Sequence, residues 1–168
     1  GGELKVINGV NLIVRSGEKV GIIGEMGCGK TTTMKSIMGV LPIFSTIIPE
    51  GKILFKGKDI LKMSKAEIRD IRRKNVSMIF EDPTTALNPV FTIGSQVESV
   101  INFSKQFNGE KGNKKNLTEK AVQVLKEVSL PDPKRVLKNY PVQLSGGMRQ
   151  RICIAMAALI GTNDLLIA

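Results

Sequence analysis

Nine consecutive residues carry the most specific chemistry in the chain: Gly24, Glu25, Met26, Gly27, Cys28, Gly29, Lys30, Thr31 and Thr32. They spell G-x-x-x-x-G-K-T with a second threonine behind it. A lysine and a threonine fixed at the end of a glycine-rich turn suit the oxygens of a polyphosphate. Glycines let the backbone turn with φ > 0 and approach a ligand with no Cβ in the way. The turned backbone points successive N–H groups inward as an anion nest, at the positive end of a helix dipole. Lys30 can then reach the β- and γ-phosphates of a nucleotide, and the Thr31 hydroxyl can ligate Mg²⁺. With glycine at about 7% of average sequences, a chance match in a chain this long is on the order of one per cent. The pattern therefore predicts nucleotide binding.

Such a loop must be held between a strand and a helix. An apolar run, Val20-Gly21-Ile22-Ile23, precedes it and reads as a strand buried in a parallel sheet. Residues 33–40 continue as a helix. Residues 4–14 read as β-structure, and Ser16-Gly17-Glu18 as a turn. Pro42 and Pro49 bracket a loop. A strand begins at 51–55 and turns at Gly57-Lys58-Asp59. Ser64-Lys65-Ala66-Glu67 forms a capping box and opens a charged helix to about Lys74. Residues 76–80 form another buried-type strand.

Beyond Asp82-Pro83 the pattern changes. Ile93, Val97, Val100 and Ile101 recur at helical spacing, as do Ala121, Val124, Leu125 and Val128. Residues 108–116, rich in lysine and asparagine, read as a solvent loop between them. Residues 84–140 thus look like a helical insertion in a strand–helix core. Leu144-Ser145-Gly146-Gly147 opens a further helix whose buried face is Met148, Ile152, Ala155, Met156 and Leu159. Residues 165–168 form one more buried-type strand.

Composition sets the outer bounds. A chain of 168 residues with 42% hydrophobic content is one domain's worth and can build a core. No run of 18 or more apolar residues occurs, so no segment reads as a membrane span, and no secretory leader is visible. With two distant cysteines and no histidine, zinc is excluded by ligand chemistry, and a reduced, cytosolic setting is the plain reading. Cys28 beside Lys30 and a helix start is either a thiol of lowered pKa or a small side chain filling a small space. The net charge of +10 includes a cluster at Lys105, Lys111, Lys114, Lys115 and Lys120. Aromatics make up only 4%, too few for the base stacking of a strand-binding protein, so no nucleic-acid partner is expected. A solvated surface, or proximity to an anionic membrane face, accounts for the charge.

Leu144-Ser145-Gly146-Gly147-Met148-Arg149-Gln150-Arg151 resembles the signature motif of ABC-type ATPases, the nucleotide-binding subunits of ATP-driven membrane transporters. The physics stands beside the resemblance: a serine and two glycines at a helix N-terminus make a second anion site in the same chain. Two unlike phosphate-binding elements suggest that ATP is held between two subunits. In the family, the phosphate loop of one subunit and the signature of the other clamp one ATP. The segment Ile79-Phe80-Glu81-Asp82-Pro83-Thr84-Thr85-Ala86-Leu87-Asn88-Pro89-Val90 is similar to that of importers of oligopeptides, dipeptides and nickel. Gly51-Lys52-Ile53, Gly57-Lys58-Asp59-Ile60-Leu61 and Tyr140-Pro141 fit the same group.

The resemblance implies an α/β fold: a P-loop NTPase (RecA-like) core with an ABC-type β-subdomain and an inserted helical subdomain, incomplete at both ends. Within a single partial ATPase domain, 1–168, it assigns 1–83 and 148–168 to the nucleotide-binding core. Residues 84–147 become the helical subdomain ending in the signature. It implies ATP held by residues 24–32 and by Ser145, Gly146 and Gly147. Mg²⁺ would be held by Thr31 and Glu81, and Lys30 and Glu81 would act in catalysis. The implied partners are a second ATP-binding subunit, integral membrane permease subunits and, indirectly, a solute-binding protein. The implied location is peripheral, on the cytoplasmic face of the plasma membrane.

Three departures from the family pattern carry consequences. Glu81 stands where the family has a glutamine that reaches Mg²⁺ and the attacking water and couples the site to the membrane subunits. A carboxylate still ligates Mg²⁺, but it adds negative charge near the γ-phosphate and cannot donate, so weakened coupling is expected. Cys28 stands where serine is usual. The family's Mg²⁺-positioning Asp and general-base Glu would follow residues 165–167, its switch histidine would lie further on, and its adenine-stacking aromatic would precede Gly1. Residues 1–168 by themselves are therefore expected not to turn over ATP at a useful rate. The rival readings are an ABC ATPase of another importer class, a DNA-associated ABC ATPase, a P-loop kinase or GTPase, and a non-catalytic nucleotide binder. The DNA-associated kind places long coiled coils between the two motifs, and no sustained heptads occur here. A kinase or GTPase does not need Ser145-Gly146-Gly147.

Overall fold

The computed structural model describes residues 4–42, 44, 46–107, 114–159 and 164–168, in two compact units, Gly1–Ile68 and Arg69–Ala168.

In the first unit the phosphate loop leads into α1, Lys30–Met38. Gly39 ends α1 in the left-handed region (φ 61°, ψ 33°), and its N–H is turned back onto Lys35 O and Ser36 O. A two-residue hairpin follows, β1 (Leu54–Phe55) and β2 (Lys58–Asp59), with Leu54 opposite Asp59 and Phe55 opposite Lys58. Its central residues Lys56 and Gly57 both have positive φ, at 49° and 80°, as the right-handed twist of a tight hairpin demands. The turn thus centres one residue earlier than expected, and Lys58 and Asp59 belong to the returning strand. Asp59 then caps a short 3₁₀ turn, Ile60–Lys62, by accepting from Leu61 N–H. The capping box forms as read: Glu67 N–H donates to Ser64 Oγ at 3.3 Å, and Ser64 N–H donates to Glu67 Oε2 at 2.8 Å. The Ser64 hydroxyl also donates to Glu67 Oε2 at 2.7 Å, and this bond foremost, then that of the Ser64 N–H, holds the Glu67 carboxyl below its usual range. The box starts α2, Lys65–Lys74.

Residues 4–14 and 20–23 depart from expectation. Neither segment is in a strand ladder, and Leu4, Ile13 and Ile23 are 86%, 75% and 98% exposed. An apolar run becomes a strand only when neighbours take its N–H and C=O groups. The only ladder among the described residues of this unit is β1–β2.

The second unit is built on helix packing. After β3 (Val76–Met78) come α3 (Pro83–Ala86), α4 (Ile93–Phe107), α5 (Lys114–Glu127), α6 (Pro133–Val136) and α7 (Gly146–Ala158). The faces expected from helical spacing are the ones buried: Ile93, Val97 and Ile101 of α4 share a core cluster with Leu117, Ala121 and Leu125 of α5 and with Ile152, Ala155 and Leu159. Each fully buried branched side chain stabilises the fold by about 1.5–3 kcal/mol. Met148 and Met156 are half-buried at its edge, and Cys153, absent from the expected face, lies inside it. α5 begins at Lys114, so residues 114–116 are its first turn rather than loop; polar residues are tolerated where the first helical amides need no partner along the helix. Residues 108–113 lie outside the described residues.

β4, Leu165–Ile167, pairs parallel with β3: Val76 opposite Leu165, Ser77 opposite Leu166, Met78 opposite Ile167. Ser77 is buried, and its hydroxyl donates to Ala157 O of α7 at 3.2 Å, tying the ladder to the signature helix.

Candidate functional site

The phosphate loop takes the shape its glycines allow. Gly27 and Gly29 have φ of 85° and 94°, in the left-handed region that L side chains rarely adopt. At Gly24 an added Cβ would lie 2.7 Å from Cys28 Sγ, so the thiol would have to turn aside. Gly29 also caps α1, and no side chain accepts a hydrogen bond from the first amides of the helix. The first amides of α1 are therefore left for a ligand, with the helix dipole favouring an anion.

Lys30 is folded over this start. Its Nζ donates to Gly24 O at 2.6 Å and to Glu25 O at 2.7 Å, with Cys28 Sγ at 3.6 Å. The ammonium thus marks the centre of the loop, within reach of any phosphate that displaces it. Thr31 is exposed, whereas Thr33 and Ser36 bond back to Gly29 O and Thr32 O within the helix. Met26 is fully exposed, and Cys28 is exposed, which is not the setting of a side chain that fills a closed space.

In the second unit Glu81 is exposed just before α3. Its neighbour Asp82 caps that helix, accepting from Thr84 N–H at 2.8 Å and from the Thr84 hydroxyl at 2.5 Å. Those two bonds, helped by the positive charge of Arg149, hold the Asp82 carboxyl below the usual range. Arg149 lies on α7, and its guanidinium donates to Pro141 O at 3.4 Å. The segment after Glu81 is thus packed against the signature helix. Asp82 followed by Pro83 at the first helical position is a readable helix start, and Arg149 beside it could not be read from spacing.

Ser145 caps α7, its Oγ accepting from Met148 N–H at 3.3 Å. Ser145, Gly146 and Gly147 are exposed. Gly146 and Gly147 meet nothing within 4 Å of an added Cβ and do not have positive φ. Nothing among the described residues calls for glycine at either position.

In the first unit the donor set suits the phosphates of a nucleotide: uncapped amides, an ammonium and the hydroxyl of Thr31. A family model described as "ABC transporter" matches residues 7–168, and the chain belongs to that family. It is 47% identical to the dipeptide transport ATP-binding protein DppD of Bacillus subtilis, over 100% of this chain and 48% of that protein. It is 41% identical to the oligopeptide transport ATP-binding protein OppD of the same organism, over 100% of this chain and 45% of that protein. The chain spans about half the length of the curated relatives it matches. Among solved structures, the ATP-binding cassette MJ0796, described as a dimer in a post-hydrolysis state bound to ADP and Pi, superposes with a TM-score of 0.75. It is 28% identical, with 90% of this chain and 60% of that one covered. The fold is that of an ATP-binding cassette.

Proposed function

We propose that the full-length protein is the ATP-binding and ATP-hydrolysing subunit of an importer for peptides, dipeptides or nickel, peripheral on the cytoplasmic face of the plasma membrane. The observation that carries the reading is the uncapped start of α1 with Lys30 Nζ folded onto Gly24 O and Glu25 O. The peptide-transport names of the relatives support the substrate class. No helix among the described residues is long and apolar enough to cross a membrane, and the proposed pathway belongs to integral membrane subunits served by a solute-binding protein.

In this reading residues 1–83 and 148–168 form the nucleotide-binding core and 84–147 the helical subdomain. Lys30 turns from its carbonyl partners to the β- and γ-phosphates, while the N–H groups of residues 27–32 cradle them. Thr31 and Glu81 hold Mg²⁺, which when bound neutralises charge on the phosphate oxygens. Ser145, Gly146 and Gly147 close on the γ-phosphate of the nucleotide in a second, facing subunit. Catalysis is positioning and charge stabilisation of an in-line attack by water. ATP draws the subunits together, hydrolysis releases them, and the segment after Glu81 passes the movement to the membrane subunits. The test is Lys30→Ala in the full-length protein assembled with its membrane partners. Loss of one such electrostatic stabiliser is expected to lower turnover by about 10²–10³-fold and to abolish uptake of a labelled dipeptide. ATP turnover and uptake at wild-type rates would sink the assignment.

A further inference from the structure

The signature helix is held by packing and by a few directed bonds, and the two do different things. Ile152, Ala155 and Leu159 are buried in the core cluster. Apolar burial is non-directional, so it holds α7 down without fixing its rotation or its height along the axis. Polar ties do that. In the last turn Ser77 donates to Ala157 O. Nearer the helix start, Arg149 donates to Pro141 O at a long 3.4 Å, whereas Arg151 Nη1 donates to Ser129 O at 2.9 Å.

Ser129 is a fixed point. Its N–H donates to Lys126 O at 2.8 Å, and the N–H of Leu130 donates to Leu125 O at 3.1 Å. These are the paired bonds of a Schellman ending on α5. The motif puts Ser129 in the left-handed region, φ 56°, and Leu125 and Leu130 are both buried. The Ser129 carbonyl is therefore aimed by the backbone and not by a rotamer. It also lies at the negative pole of α5, where a cation is stabilised by the helix dipole. An ammonium would supply the charge alone; a guanidinium supplies it through a planar group of fixed direction.

We infer that Arg151 is a positioning residue: through the carbonyl of Ser129 it ties the signature helix to the end of α5, and so fixes where Ser145, Gly146 and Gly147 stand. This rests on the proposed reading, in which those three residues meet a γ-phosphate. Groups with such a task tolerate little movement, since a misplacement of about 1 Å costs up to about 10²-fold in rate.

The experiment uses the full-length protein. Arg151→Met keeps the stem but removes the charge and the donor, and Arg151→Lys restores the charge alone. In Arg151→Met, amide exchange at Met148 and Arg149, in the first turn of α7, is expected to rise several-fold. Turnover at saturating ATP is expected to fall about ten- to a hundredfold. The KM for ATP should stay within about twofold, because the phosphate loop is untouched. Arg151→Lys should recover part of the lost turnover. Ser129→Gly, added to Arg151→Met, relieves the left-handed serine; it is expected to restore the melting temperature and leave turnover low. Unchanged exchange in Arg151→Met would overturn the tie. Faster exchange with undiminished turnover, or turnover recovering together with the melting temperature in the double variant, would overturn the positioning role. Lys30→Ala bears on the ATPase reading alone and amide exchange on the tie alone, so the two failures are told apart.

Discussion

Gly146→Ala separates a glycine kept for folding from a glycine kept for a ligand. Gly146 is the first residue of α7, its φ is not positive, and no atom lies within 4 Å of an added Cβ. The folding cost is therefore nil, and alanine should stabilise the helix by at most about 1 kcal/mol. For a domain of this size that raises the melting temperature by about 2–4 °C at most. Turnover should move the other way, because in the proposed reading the methyl group would stand where a phosphate held by a facing subunit approaches the helix amides. Loss of such a contact costs about 10²–10³-fold in rate. Gly94→Ala is the opposite control. Its Cβ meets Leu137 O at 2.7 Å and displaces a 2.8 Å hydrogen bond, so overpacking is expected to destabilise by about 1–3 kcal/mol. The assay is a thermal melt and a phosphate-release measurement on the full-length wild type and each variant. A raised melting temperature with undiminished turnover in Gly146→Ala would refute the ligand argument. A lowered one would refute the claim of open space.

Glu81→Gln is expected to raise the ratio of stimulated to basal ATPase activity in the assembled transporter, because in the proposed reading the amide supplies a donor and removes a negative charge from beside the γ-phosphate; an unaltered ratio would show that the carboxylate serves as well. The two thiols should react in sequence. Cys28 is exposed, whereas burial raises the Cys153 thiol above its usual range and disfavours the reactive thiolate. A thiol reagent should therefore label Cys28 at once and Cys153 only on unfolding, and mass spectrometry of the labelled peptides checks the order.

The helical unit was legible because its signals are local. Spacings of three and four placed Ile93, Val97, Ile101, Ala121 and Leu125 on the faces that are buried. Ser64 and Glu67 announced a helix start through atoms three residues apart. The phosphate loop and the signature were legible for the same reason. Residues 20–23 were not, because strand formation depends on distant neighbours that periodicity does not name. Gln96 and Arg149 escaped too. Gln96 holds a loop eight residues back at Asn88, and Arg149 lies near Asp82 only once α3 and α7 pack together. Neither contact leaves a spacing rule in the sequence.

The parallel pairing of β3 with β4 also bears on how the second unit forms. Asn75 and Asp164, bonded at the entrance of this ladder, are 89 residues apart in the chain. Closing so long a loop costs about 4 kcal/mol in chain entropy, against a ladder of three residues per strand. The ladder is thus a late event, reached after α4, α5 and α7 have drawn the ends together. Val97→Ala, in the early helical packing, is expected to slow refolding, whereas Ile167→Val should mainly quicken unfolding. Stopped-flow kinetics on the two variants would show the reverse assignment if the strands met first. The signature helix lies between these strands in sequence and is tied to β3 through Ser77. The start of that helix is therefore expected to take its final seat only when β4 has paired with β3.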